Sequence, residues 1–181
     1  AYLRVCFGSD ADGYAGRHYA LEAMDVLPKP TGSLPIVVGG GGPKKTPSIA
    51  GRFADEYNMF ACDFETLQAR RRVMTDAAED AGRDPDAIRI SFVGYPVMGD
   101  DPADYRERLA ARAAARDTEV DEYEAMLATR NLPHGTADQV AEQFAAYAAN
   151  GVGRYYLQVY APLDEIDTAD VERVVAVIRN T

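Results

Sequence analysis

Apolar residues fall in two rhythms along this chain: short unbroken runs, and longer stretches with helical spacing. "AYLRVCF", Ala1 to Phe7, has the spacing of the last turns of an amphipathic helix. Gly8 to Gly16 is turn-rich, and the prolines of "PKPTGSLP" fix an extended connection. "IVVGG", residues 36–40, is a short β-branched run of the kind found in strands covered on both faces. Thr46 then reads as an N-cap with Pro47 in the first helical position, and Ile49, Ala50, Phe53 and Ala54 give an inward face. "EYNMF", residues 56–60, is a second strand. Asp63 caps a helix carrying Phe64, Leu67, Met74, Ala77, Ala78 and Ala81 on one side, and Gly82 ends it.

"RISFVGYPVM", residues 89–98, predicts a third strand. Pro102 to Asn131 is helical but weakly amphipathic, and reads as two helices broken near Asp117. Thr136 and Gln139 form a capping box, and their helix ends at Asn150-Gly151. "RYYLQVY", residues 154–160, is a fourth strand, and Thr168 to Ile178 a last helix with Val171, Val174, Val175 and Ile178 inward. Strands that alternate with helices imply an α/β fold with a parallel sheet and right-handed crossovers.

The length, 181 residues, suits one domain. With 47% hydrophobic and 27% charged residues the balance is that of a soluble globule. A net charge of −10 argues against nucleic acid or an anionic membrane as partner. No run approaches the ~18 apolar residues of a membrane span, and no signal peptide is visible, so a cytoplasmic location is expected. Cys6 and Cys62 have no metal or disulfide spacing and read as reduced, buried thiols; no metal is expected.

The four glycines Gly39 to Gly42 stand between a strand and a helix, where bare amides and the helix dipole favour an anion. Lys44 and Lys45 add charge, and Thr46 and Ser48 add hydroxyls. Two better-known patterns fail. A P-loop begun at Gly39 needs glycine where Lys44 stands, and G-x-G-x-x-G begun at Gly39 or Gly40 ends on Lys44 or Lys45. The competing explanation is a tight connection without a ligand.

Other polar positions are weaker candidates. His18 reads as a surface or packing residue. His134 precedes a capped helix and could approach the mouth of the sheet. Asn58, Gln158 and Tyr160 lie in buried-strand patterns, and such groups need partners. Arg70, Arg71 and Arg72 read as a solvated helix face.

"AGRHYALEAMDVLPKP" with "LPIVVGGGGPKKTPSIAGRFADEYN" resembles the luciferase-like monooxygenase superfamily of flavin- or deazaflavin-dependent (β/α)8 barrels. "AEDAGRDPDAIRIS" and "HGTADQVAEQFAAYAANGVGRYYLQ" resemble later blocks of the same family. The resemblance spans nearly the whole chain and implies only the second half of a TIM barrel, strands five to eight. Residues 1–34 would be a helix end and connecting loop, and residues 35–181 four β/α units of one domain. It implies coenzyme F420, with FMN as the alternative, and a phosphate held by Gly39, Gly40, Gly41, Gly42, Lys44, Lys45 and Thr46. It assigns no catalytic residue, because the ring-facing groups of the family come largely from the half that is absent. A small-molecule oxidoreductase follows from it; the alternative is a non-catalytic half-barrel for binding or assembly that keeps the anion site. A flavodoxin-like FMN domain would need a fifth strand. A half-barrel leaves an uncovered inner face, expected to be apolar, so the chain should self-associate or join a missing N-terminal half.

Overall fold

The computed structural model describes residues 2–8, 13–23, 26–159 and 166–179. Ala1, residues 9–12 of the stretch expected to be turn-rich, and Tyr160 lie outside them. Short helix α1 (Tyr2–Phe7) is followed by an antiparallel pair, β1 (Tyr14–Ala15) and β2 (Ala20–Leu21). Then come β3 (Val37–Gly39), α2 (Lys45–Phe53), β4 (Glu56–Phe60), α3 (Phe64–Asp80) and β5 (Arg89–Gly94). The chain continues through β6 (Val97–Gly99), α4 (Pro102–Ala114), α5 (Val120–Thr129), β7 (His134–Thr136), α6 (Ala137–Ala149), β8 (Arg154–Leu157) and α7 (Thr168–Arg179). Four strands make a parallel sheet in the order β3-β4-β5-β8, the order in which they occur in the chain.

Local chemistry sets the helix boundaries. Asp63 accepts from the Thr66 amide at 2.7 Å and the Thr66 hydroxyl at 2.8 Å, an N-cap that stabilises α3 by about 1 kcal/mol. Thr136 and Gln139 close the reciprocal capping box of α6. The stretch from Pro102 to Asn131 breaks between α4 and α5, with Asp117 at φ 51°.

The strand register separates two faces. Val38, Tyr57, Met59, Ile90, Phe92 and Tyr155 point toward the helices and meet Ala50, Ala54, Leu67, Met74 and Ala78. Tyr147 of α6 lies at the centre of an aromatic cluster, edge-on to Phe92 at 5.1 Å and stacked with Tyr155 at 6.0 Å. Its hydroxyl donates to the Asn131 carbonyl. Burying each such ring contributes roughly 1.5–3 kcal/mol.

Several expectations need correction. The helix after the glycines begins at Lys45, not Pro47, and its N-cap is Lys44 with no side-chain cap bond. Thr46 is instead inside the first turn, where Pro47 still costs no hydrogen bond because that amide has no intrahelical acceptor. Ala50 and Ala54 are buried as expected, but Ile49 and Phe53 are 49% and 46% exposed. Ala81 is the exposed C-cap of α3 rather than part of its inner face. The third strand is broken at Tyr95-Pro96, and its second piece, β6, pairs with β7 in a separate parallel ribbon. The fourth strand, expected over residues 154–160, ends at Leu157; Gln158 and Val159 lie beyond it.

The face turned away from the helices is largely polar, against the expected apolar one. In register it presents Val37, Glu56 and Arg89, then Gly39, Asn58, Ser91 and Arg154, then Phe60, Val93 and Tyr156. Glu56, 3% exposed, takes Arg154 at 2.8 Å and Arg89 at 3.6 Å. Runs such as "EYNMF" look apolar when read whole, but alternation sends their polar members to one side.

Candidate functional site

Parallel strands bring all their C-terminal ends to one edge, and the glycine loop lies there, after β3. Gly40 has φ +147°, and a Cβ on it would lie 3.1 Å from the Thr46 methyl. Only glycine fits that turn without strain. The Gly40 amide donates to the Asn58 carbonyl at 3.1 Å, and the Tyr57 hydroxyl donates to the Gly40 carbonyl at 3.3 Å. Both tie the loop to β4.

Beyond Gly40 the backbone is open. A Cβ at Gly41 would meet no atom within 4 Å, and one at Gly42 only the Thr46 hydroxyl, at 3.4 Å. The first bond of α2 runs from the Ser48 amide to the Lys44 carbonyl. Among the described residues, the amides of Gly41, Gly42, Lys44, Lys45 and Thr46 meet no protein acceptor. The side chains of Lys44 and Lys45 are exposed. Free amides, a helix N-terminus and two cations beside an unobstructed backbone fit a phosphate group.

A cavity of about 440 Å³ opens at the same edge, beyond β4, β5 and β8. Phe60, Val93 and Gly94 form its floor, Tyr123, Met126 and Leu127 of α5 its roof, and Arg116, Arg130 and Gln158 its polar lining. Tyr95 also lines it and donates from its hydroxyl to Asp170 at 2.7 Å. Burial, and then the Asp170 carboxylate, push the Tyr95 phenol well above its ordinary value, so it stays neutral. Arg108 holds Asp170 from the other side at 2.7 Å.

The remaining sequence candidates divide. Gln158 lines the cavity. Asn58 is on the open face and donates to the Ser91 hydroxyl at 2.9 Å, so a protein side chain is its partner. His134 starts β7, where its Nδ1 contacts the Leu132 carbonyl at 2.8 Å, and it does not line the cavity. His18 is exposed beside β2. Arg70 is not solvated: it is half-buried, with Nη1 3.7 Å from the Cys62 sulfur and 3.8 Å from the Met59 sulfur. Burial pushes the Cys62 thiol up, which keeps it protonated. Cys6 is buried and Cys62 half-buried, and both are free. Sequence reasoning missed Arg116, Arg130, Tyr95 and Tyr123, because only the folded path from β5 to β8 brings them to one cavity.

The family described as luciferase-like monooxygenase matches residues 1–154. The F420-dependent glucose-6-phosphate dehydrogenase of Mycolicibacterium gilvum (strain PYR-GCK) is 25% identical over 150 residues, 78% of this chain and 44% of that protein. The dibenzothiophene-sulfone monooxygenase of Rhodococcus erythropolis is 29% identical over 83 residues, 46% of this chain and 18% of that protein. A solved F420-dependent secondary alcohol dehydrogenase, in complex with an F420-acetone adduct, shares the fold. Its TM-score is 0.71 at 18% identity, covering 98% of this chain and 59% of that one. The chain therefore spans less than half the length of the curated relatives it matches.

Proposed function

The chain belongs to the luciferase-like monooxygenase family, and from that premise we propose that it is the C-terminal half of a flavin- or deazaflavin-dependent oxidoreductase. The Gly39–Thr46 loop would hold the cofactor phosphate. The observation that carries this reading is the set of unpartnered amides of Gly41, Gly42, Lys44, Lys45 and Thr46 at the C-terminal edge of the sheet, with open space beside the Gly41 backbone. Coverage supports the half-barrel: nearly all of this chain lies on 59% of a larger α/β neighbour.

Coenzyme F420 is the cofactor of choice, since one relative and two fold neighbours are F420-dependent by name; FMN, named with two other fold neighbours, is the alternative. When bound, the cofactor supplies the hydride chemistry. The protein supplies position. The amides of Gly41, Gly42, Lys45 and Thr46 would bind phosphate oxygens, and Lys44 and Lys45 would offset their charge. Gly40 fixes the loop on β4, while Phe60 and Tyr123 give apolar surface to the cavity at the same edge of the sheet.

Fluorescence titration with F420, and separately with FMN, tests the loop. Gly41→Val places its side chain in the open space and should weaken binding about tenfold or more, the scale of a lost charge-assisted hydrogen bond. The urea midpoint should stay where it was. Unchanged affinity in the variant would overturn the assignment. Binding without any turnover, even with an N-terminal half supplied, would favour the non-catalytic assembly reading.

A further inference from the structure

We infer that the cavity between the ends of β4, β5 and β8 and helix α5 takes an apolar substrate bearing an anionic group, which Arg116 and Arg130 bind. This rests on the reading proposed above only in treating the ligand as the second reactant of the enzyme.

The walls set the body of the ligand. Phe60, Val93, Tyr123, Met126, Leu127 and Leu132 present apolar surface in a space of about 440 Å³. Tyr95 adds a ring, since its hydroxyl is engaged by Asp170.

The cations set the head. No carboxylate lines the cavity. Elsewhere Arg106, Arg108, Arg154 and Arg173 each meet an acidic side chain. Arg116 and Arg130 meet none among the described residues, in a chain of net charge −10. Arg116 is also held in place: its guanidinium lies 5.1 Å over the Tyr123 ring, and its Nη1 donates to the Arg112 carbonyl at 3.2 Å. Its other donors remain free for a carboxylate or phosphate, the groups a guanidinium binds best. A cationic substrate would be repelled here. None of the residues of the Gly39–Thr46 loop lines this cavity, so the anion bound here is separate from the cofactor phosphate.

Isothermal titration of the 181-residue chain with naphthoate and with its neutral isostere naphthamide tests this. Naphthoate should bind about tenfold tighter, the low end for charge-assisted bonds at a half-open site. The advantage should vanish in the Arg116→Met/Arg130→Met double variant and persist in the double Lys variant. Both arginines are exposed, so the fold should survive either change. Equal affinities, no binding of naphthoate, or an advantage that survives in the double Met variant would overturn the proposal. F420 titration of the same proteins separates the two readings. Failure of F420 binding with the naphthoate preference intact would sink the cofactor assignment alone, and the reverse pattern would sink this one alone.

Discussion

Gly51 sets two opposing effects against each other, and its replacement by alanine decides which is larger. It is buried in α2 where that helix crosses α3. Helix propensity alone predicts that Gly51→Ala stabilises by roughly 0.8–1 kcal/mol, less near a helix end. Packing predicts the reverse. A methyl there would overlap the Met74 carbonyl oxygen, and would lie 3.0 Å from the Ala78 nitrogen and 3.1 Å from the Ala77 methyl. Two of these neighbours are α3 backbone, so no side chain can rotate away. Moving α3 would open its contacts with Ala50 and Ala54 in the core. It would also loosen Arg83, which donates to the carbonyls of Gly51 and Ala54, each at 2.6 Å. Overpacking costs about 1–3 kcal/mol, and overlap with fixed backbone belongs in the upper part of that range, about 2–3 kcal/mol, so the net effect should be a loss of about 1–2 kcal/mol. With a urea m-value of about 2 kcal/mol/M, the midpoint should fall by about 0.5–1 M. Gly41→Ala, at a position with no near atom, is the control and should leave the midpoint in place. A midpoint that rises in Gly51→Ala would show that α2 and α3 are not packed this closely.

Two further outcomes are expected. Burial, and after it a carboxylate contact at Tyr95 and at Tyr105, holds the phenols of Tyr95, Tyr105, Tyr147 and Tyr155 above the ordinary value of 10.0. Above pH 10 the unfolded chain therefore loses protons that the folded chain keeps. Stability is full below that pH and falls as pH rises through it; urea midpoints that stay flat to about pH 11.5 would contradict the buried placement of these rings. The chain purified alone should self-associate and lack turnover with F420 or FMN; light scattering that shows a monomer, with steady turnover, would refute the half-barrel reading.

What the sequence made legible is what short-range chemistry determines. The Asp63 cap, the Thr136–Gln139 box and the break near Asp117 each depend on residues within one turn, and each is present. The four sheet strands were visible because helix-side residues such as Tyr57, Met59, Ile90 and Phe92 make apolar runs. The rest depends on distant partners. The β6–β7 ribbon pairs Val97 with His134, and neither segment is long enough to declare itself. Ile49 and Phe53 form an apolar stripe with Ala50 and Ala54, but a stripe does not say which of its members a neighbour covers. The cavity needs Arg116 and Arg130 from the α4–α5 region beside Phe60 of β4, and the Tyr95–Asp170 bond joins residues 75 positions apart.

The exposed apolar residues indicate where a missing half would attach. The open sheet face is a weak source of hydrophobic drive, because Glu56, Arg89, Asn58, Ser91 and Arg154 fill most of it and bond one another. The edge at β3 is different. Val37 is 48% exposed there, Leu3, Phe7 and Leu34 line a shared hollow beside α1, and Ile49 and Phe53 stand bare on α2. An unpaired strand edge flanked by bare apolar side chains is the combination that another β/α unit covers, with ladder bonds to β3 and a helix against α2. The buried Glu56 Oε1 has no hydrogen-bond partner among the described residues. On the half-barrel reading, β3 would supply the driving force for closure, and a donor from the added half that reached Glu56 Oε1 would relieve the cost of burying that oxygen unpaired.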